Sequence, residues 1–294
     1  LKHVIMFIYK YPHLKGGANI SRINIDYKSP KKILTPTSGF LYDYSHSLNP
    51  YTGCAFGCSY CYVRQSPVGL FRKQEWGTWV DVKQDAKEKI VKEIRNLKKR
   101  DKEVTIFMSS STDPYQPIEY KEKITRGLLE GMTEVPPDFL FVQTRSSLVT
   151  RDIDLFKQLK DRLRISMTVE TDDDQIRKKF APYAPPIQSR IKAVTKLRDN
   201  QLPVQIAVAP VLPFSKKFPE ELSKVVDRIV IDDFYTGDGS NGKRTERLKI
   251  KKLYDDEEMD MWYGEDTHLL ALEQFKEHFT ADQILVSQEG FKPY

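Results

Sequence analysis

The chain has few cysteines. Among 294 residues there are three, Cys54, Cys58 and Cys61, all within eight positions. An odd, low count confined to one stretch excludes a disulfide framework. Long apolar runs are also missing: none approaches the ~18–20 residues that cross a bilayer. Val4-Ile5-Met6-Phe7-Ile8-Tyr9 is too short, is followed by Lys10 and lacks a small-residue cleavage site, so neither a membrane span nor a signal peptide is expected. Charge of one sign is scarce, since 47 Lys and Arg against 41 Asp and Glu leave +6. That balance tolerates a nucleic-acid or phosphate partner without requiring one. There is no long low-complexity tract and no clear second domain. Thiols kept for chemistry suit a reducing compartment, and a cytoplasmic location is expected.

The cysteines sit in Leu48-Asn49-Pro50-Tyr51-Thr52-Gly53-Cys54-Ala55-Phe56-Gly57-Cys58-Ser59-Tyr60-Cys61-Tyr62, a C-x3-C-x2-C pattern. Three thiolates so close in sequence can wrap one compact metal centre, and Gly53 and Gly57 let the backbone turn tightly around it. An iron–sulfur cluster with four irons normally takes four cysteine ligands. Three leave one iron open to a substrate or cofactor, which points to chemistry rather than electron storage. Two other readings fit the count: a structural zinc site with His46 as fourth ligand, or unligated buried thiols.

The rest of the chain alternates strand and helix patterns. Residues 1–32 are basic and aromatic, with a strand-like Ile23–Tyr27, and read as an N-terminal extension. Expected strands are Tyr44–Leu48, Val104–Met108, Phe139–Val142, Arg164–Val169, Val204–Val208 and Arg228–Ile231. Between them lie helical stretches over about 82–100 (Val82, Ala86, Ile90, Ile94, Leu97), 122–134, from a Thr150 cap to Leu163, 187–200, and Pro219 to Val226. Six strands separated by helices argue a parallel sheet with right-handed crossovers. We read residues 33–235 as an open partial (β/α)6 barrel; a doubly wound sheet fits the same alternation. In either fold ligands sit at the carboxyl ends of the strands. The polar residues Ser109–Asp113, Gln143–Ser146, Glu170 and Asp232–Asp233 fall there. Residues 236–294 read as a C-terminal extension packed on the barrel. It contains a Gly237–Gly242 turn, a basic block followed by an acidic one that read as a self-paired hairpin or helix with a nucleic-acid contact as the alternative, a helix over 267–279, and a last strand near 283–286.

The cysteine pattern, with an aromatic before its last cysteine, resembles the cluster loop of the radical S-adenosylmethionine (SAM) superfamily. Together with Ser111-Thr112-Asp113-Pro114-Tyr115-Gln116-Pro117-Ile118-Glu119, it resembles the spore photoproduct lyase-like branch over roughly residues 33–235. The resemblance implies the same partial barrel and a 4Fe-4S cluster on Cys54, Cys58 and Cys61. It also implies SAM as cofactor, cleaved reductively to methionine and a 5′-deoxyadenosyl radical that takes hydrogen from the substrate. Arg145 stands where a basic residue meets the SAM carboxylate. Ser109, Thr112 and Ser166 stand where hydroxyls meet the methionine or ribose part. Tyr60 and Tyr62 stand where tyrosines of the lyases lie by SAM and help return a hydrogen atom. The implied partners are a DNA or nucleotide substrate, such as a UV-damaged pyrimidine, and an electron donor such as flavodoxin or ferredoxin. In one respect the chain departs from the lyases, which carry a donor cysteine just before the Asp-containing segment. Here Ser109-Ser110-Ser111 stands there, and a serine O–H bond is too strong to give hydrogen to a carbon radical. The rival reading from another class is a non-catalytic iron–sulfur protein that binds nucleic acid or senses redox state.

Overall fold

The computed structural model describes residues 23–254 and 257–294. Eleven strands are found among them: β1 Asn24–Lys28, β2 Leu34–Pro36, β3 His46–Leu48, β4 Tyr51–Thr52, β5 Trp79–Lys83, β6 Thr105–Met108, β7 Phe139–Thr144, β8 Leu163–Thr168, β9 Val204–Val208, β10 Ile229–Ile231 and β11 Ile284–Val286. The main sheet has the order β11-β10-β9-β8-β7-β6-β3-β2. All its neighbours run parallel except β2, which pairs antiparallel with β3. The six expected strands are therefore present, in sequence order and parallel. The edges β2 and β11 do not pair, so the barrel stays open. β11 brings the C-terminal segment into the sheet itself, as a seventh parallel strand beside β10.

Strand alternation sends side chains to two faces. Ile106, Met108, Leu140, Val142, Ile165, Met167, Ile206, Val208, Ile229 and Ile231 form the outer face, buried in one core with the helices. The helix Ala86–Lys98 adds Ile90 and Ile94 to that core, and Ile124–Glu134 adds Leu128, Leu129 and Met132. On the inner face Tyr44, Phe107, Phe139, Phe141, Ala207, Val230 and Phe291 form a separate apolar plug. Phe107 and Phe141 stack at 4.9 Å, and the Tyr44 hydroxyl donates to the Phe291 carbonyl at 2.7 Å. Residues near the C-terminus thus fill the gap that the unpaired edges leave.

Several local expectations change. Val82 was expected in a helix but lies in β5, which pairs parallel with β1 and antiparallel with β4 in a small second sheet. It is fully buried there with Tyr51 and Val80. Val82 keeps helical phase with Ala86, so periodicity alone merges strand and helix. Thr150 does not cap a helix: Ser146 caps the 3-10 segment Ser147–Asp152, and the helix proper is Ile153–Leu159. The basic block and the described part of the acidic block are helical rather than a hairpin, while Asp255 and Asp256 lie outside the described residues. They give short helices, Lys243–Arg247 and Glu257–Asp260, and among the described residues an exposed pair at 3.5 Å, Lys251 with Asp260, joins the two blocks. The basic residues of 1–22 lie outside the described residues. Among the described residues, no helix is long and apolar enough to cross a membrane.

Candidate active site

The cysteine loop leaves the sheet after β3, and β4 pins its start by pairing Tyr51 and Thr52 with Val82 and Asp81. Gly53 follows at φ +83°, where a Cβ would stand 2.6 Å from the Trp79 ring and 2.7 Å from the Trp79 carbonyl. No residue with a side chain fits that passage. Gln116 clamps the loop from behind. Its Oε1 accepts from Ala55 N at 2.8 Å, and its Nε2 donates to the Gly53 carbonyl at 3.2 Å and to Thr112 Oγ1 at 3.0 Å. Thr112 Oγ1 in turn donates to the Gly53 carbonyl at 2.6 Å. On the far side Ser59 N and Oγ both donate to the Phe180 carbonyl at 2.9 Å.

These supports put Cys54, Cys58, Tyr60, Cys61 and Tyr62 on the wall of one cavity of about 570 Å³ at the carboxyl ends of the parallel strands. Ser109, Thr112 and Arg145 line the same cavity, with Ser110, Ser111, Gln143, Thr168, Asp232, Asp233 and Arg244. Eight of the nine expected site residues therefore meet. Ser166 does not: it is fully buried deeper in β8, where its Oγ accepts from Gln205 Nε2 at 3.2 Å, and Thr168 two residues on reaches the cavity instead.

The polar wall has two characters. One part is tied into a buried network. Arg145 Nη1 donates to Cys58 Sγ at 3.2 Å, to the Tyr60 hydroxyl at 2.5 Å and to Glu170 Oε1 at 2.6 Å. Tyr60 also donates to Glu170 Oε1 at 2.5 Å, and Arg190 Nη1 donates to Glu170 Oε2 at 2.6 Å. Burial alone would raise the Glu170 pKa, but the guanidinium groups of Arg190 and Arg145 outweigh it and hold it at about 2. Asp113 is likewise spent on structure, accepting from Tyr115 N, Thr144 Oγ1 and Arg145 N at 2.7–2.9 Å. The Thr-Asp-Pro-Tyr-Gln-Pro segment is thus chiefly a brace for the cysteine loop and for Arg145.

The other part is open. Ser109 stands at the end of β6 with φ +85°, and its buried Oγ has no partner. Gln143 Oε1 is also buried and unpartnered. Tyr62 donates to the Ser110 carbonyl at 2.6 Å, and the Arg244 guanidinium lies 5.9 Å from the Tyr62 ring centroid. Asp232 is pushed up to about 7 by burial. Sequence reading placed Gln143 among the strand-end polar residues without giving it a role, and missed Thr168 and Arg244. Polarity at a strand end was a usable signal for Thr168 as it was for Gln143. None existed for Arg244, which lies inside a basic block.

The donor set suits a three-thiolate cluster. Cys54 and Cys58 are buried and Cys61 is half-buried on the wall of one cavity, and desolvation pushes Cys54 and Cys58 upward and Cys61 up to about 12. Left alone they stay protonated; a cationic metal centre is what makes thiolates favourable here. Among the described residues, no three His, Cys, Asp or Glu side chains converge as around a single ion. His46 lies on β3 with its Nδ1 on Ser45 Oγ at 2.9 Å, and it is not part of the cavity wall.

With the geometry in place, the comparisons agree with it. The radical SAM superfamily model matches residues 48–228. A protein of Methanocaldococcus jannaschii, itself uncharacterized, is 31% identical over 193 residues, covering 66% of this chain and 70% of that one. A phage protein, the radical SAM Nalpha-GlyT isomerase of Pseudomonas phage M6, is 30% identical over 166 residues, 56% of this chain and 32% of its own length. This chain belongs to the radical SAM superfamily. Its fold is also that of spore photoproduct lyase. The structure of that enzyme complexed with dinucleoside spore photoproduct superposes with a TM-score of 0.63 at 13% identity, covering 94% of this chain and 87% of the other.

Proposed function

We propose that the chain is an enzyme that holds a 4Fe-4S cluster on Cys54, Cys58 and Cys61, cleaves SAM reductively, and takes hydrogen from a damaged or modified pyrimidine nucleotide in DNA. The observation that carries the reading is the coincidence of all three thiols with unpartnered polar groups, Ser109 Oγ and Gln143 Oε1, on one cavity wall. An iron–sulfur sensor needs the thiols but has no use for orphaned polar atoms facing an adjacent cavity. The pyrimidine substrate is supported by the likeness to a lyase with dinucleoside spore photoproduct bound, over 94% of this chain. The phage isomerase supports SAM chemistry by its name.

When bound, cluster and SAM together supply a carbon radical able to take hydrogen from an unactivated C–H bond. The residues of the chain hold and shield. Arg145 uses Nη1 to fix Cys58, Tyr60 and Glu170, and among the described residues its Nε and Nη2 make no hydrogen bond, leaving them for the SAM carboxylate. Ser109 and Thr168 offer hydroxyls at the strand ends. Tyr60 is locked between Arg145 and Glu170, whereas Tyr62 is tied only to a backbone carbonyl. With no thiol outside the cysteine loop, Tyr62 is the hydrogen donor we assign. The electron comes from a flavodoxin- or ferredoxin-like donor in the cytoplasm.

The test is anaerobic reconstitution with iron and sulfide, then dithionite and SAM, with chromatography for 5′-deoxyadenosine. Its formation, followed by turnover of UV-irradiated DNA, is the expected result. A brown protein that neither binds nor cleaves SAM would favour the sensor instead. Cys58→Ala should abolish cleavage in a folded protein, and retained cleavage would sink the three-ligand assignment.

A further inference from the structure

A second cavity of about 450 Å³ opens at the opposite, amino end of the barrel strands. Its wall includes Arg164 at the start of β8, Arg228 just before β10, and Arg198 on the helix Ile187–Asp199. It shares no residue with the cysteine cavity. The apolar plug of Tyr44, Phe107, Phe141 and Phe291 lies on the same inner face between the two ends. Gln205 helps close the floor, donating to Ser166 Oγ at 3.2 Å and to the Gly290 carbonyl at 3.0 Å.

The guanidinium of Arg164 is placed in a way the fold does not use. Arg164 is half-buried, its Nε is fully buried without a partner, and among the described residues it makes no ion pair. Among the described residues Arg228 donates only from Nε, to Gln205 Oε1 at 2.9 Å. Arg198 donates to the Lys224 and Val225 carbonyls. Asp227 and Asp282 stand on the wall, both exposed, and neither comes within ion-pair distance of an arginine. The Arg164 and Arg228 charges repel each other, and burial together with that repulsion lowers Arg228 to about 10. Two like charges held together in a partly dry cleft are unfavourable unless an anion sits between them.

We propose that this cleft is an anion site that takes a phosphate group between Arg164 and Arg228, with Arg198 at its rim. Guanidinium forks match phosphate oxygens in bidentate fashion, and an unsatisfied buried N–H is the donor such an oxygen would fill. The site is independent of the cluster chemistry and faces the other end of the barrel, so its occupant is a ligand other than SAM or the substrate of the upper cavity.

The test is a titration of the intact protein with inorganic phosphate at constant ionic strength, chloride replacing phosphate in the control. It is followed by thermal unfolding and by phosphorus NMR line width. Wild type should show a saturable rise in unfolding temperature and line broadening. Arg164→Gln and Arg228→Gln should each weaken binding about tenfold or more, and Arg198→Gln, at an exposed position, by less. In phosphate-free buffer Arg164→Gln should unfold no lower than wild type, because it removes repulsion and no hydrogen bond. Repeating the titration with a nucleoside monophosphate shows whether the phosphate is free or part of a nucleotide, and tighter binding of either supports the site. No saturable response in wild type would overturn the proposal, as would an equal response in Arg164→Gln and Arg228→Gln. So would a response lost in Arg244→Gln, which would place the anion in the upper cavity, or an Arg164→Gln protein clearly less stable than wild type without phosphate.

Discussion

Replacing Glu170 by glutamine keeps the shape of the wall behind the cysteine loop and removes a buried carboxylate that faces two cations. Glu170 is 1% exposed, and Arg190 beside it is completely buried. Breaking such a pair by removing one partner costs about 3–5 kcal/mol, because the other charge stays buried and uncompensated. Titration leads to the same size. The carboxyl pKa falls from 4.5 to about 2 on folding, which at ~1.4 kcal/mol per pH unit is about 3 kcal/mol. The sign follows from the lowered folded value: the stabilisation is complete above about pH 4.5 and is lost as pH falls toward 2. Equilibrium urea unfolding of the metal-free protein should therefore show Glu170→Gln about 3 kcal/mol less stable at pH 7, with the gap shrinking to about 1 kcal/mol at pH 3. A variant as stable as wild type at pH 7, or a gap of equal size at pH 3, would refute the reasoning. The variant should also load its cluster poorly, since Arg145 holds Cys58 and Tyr60 only while Glu170 fixes the guanidinium.

Gly53→Ala should destabilise the protein by roughly 2 kcal/mol or more and lower the iron content after reconstitution, because its Cβ has no room against Trp79; iron per chain, measured beside unfolding, checks both. Asp232→Asn should stabilise the ligand-free protein at pH 8 by up to about 4 kcal/mol. Burial raises the Asp232 carboxyl from 3.8 to about 7, so wild type loses stability as pH rises through that window. The two proteins should converge near pH 4, and a constant difference across that range would count against the assignment. Tyr62→Phe should fold, lose about 1 kcal/mol with its bond to the Ser110 carbonyl, and keep SAM cleavage. It should fail to return solvent-derived deuterium to the substrate, and unchanged deuterium incorporation would exclude Tyr62 as donor.

The three thiols and both tyrosines of the site were legible because one loop carries them, so spacing alone brings them together. What braces that loop was not. Gln116 lies 61 residues from Ala55, and Glu170 lies 110 from Tyr60. Contacts that the chain closes over such distances leave no periodic trace. Thr112 and Asp113 were noticed as a motif, yet their side chains turn out to hold backbone and loop in place. Their visibility reflected geometry as much as chemistry.

One signal was present and went unread, and it bears on the choice between the two parallel folds. A doubly wound sheet buries both faces under helices, so its strands run apolar throughout. Here Arg164, Ser166 and Thr168 alternate with Leu163, Ile165 and Met167 on β8, Gln205 interrupts β9, and Arg228 precedes β10. Polar residues at every second position of central parallel strands need a face without helices. An open barrel has one, its interior, where a cavity lies at each end of an apolar plug. Read that way, the alternation argues for the barrel without any resemblance. It also separates the polar residues by depth: Thr168 and Asp232 reach the cavity beside the cysteines, Ser166 and Gln205 seal the middle, and Arg164 and Arg228 face the far mouth. Ser166 was assigned to the cofactor by the family resemblance, and it does lie on the inner face of β8. Its depth, two residues short of the strand end, is what keeps it from the cavity.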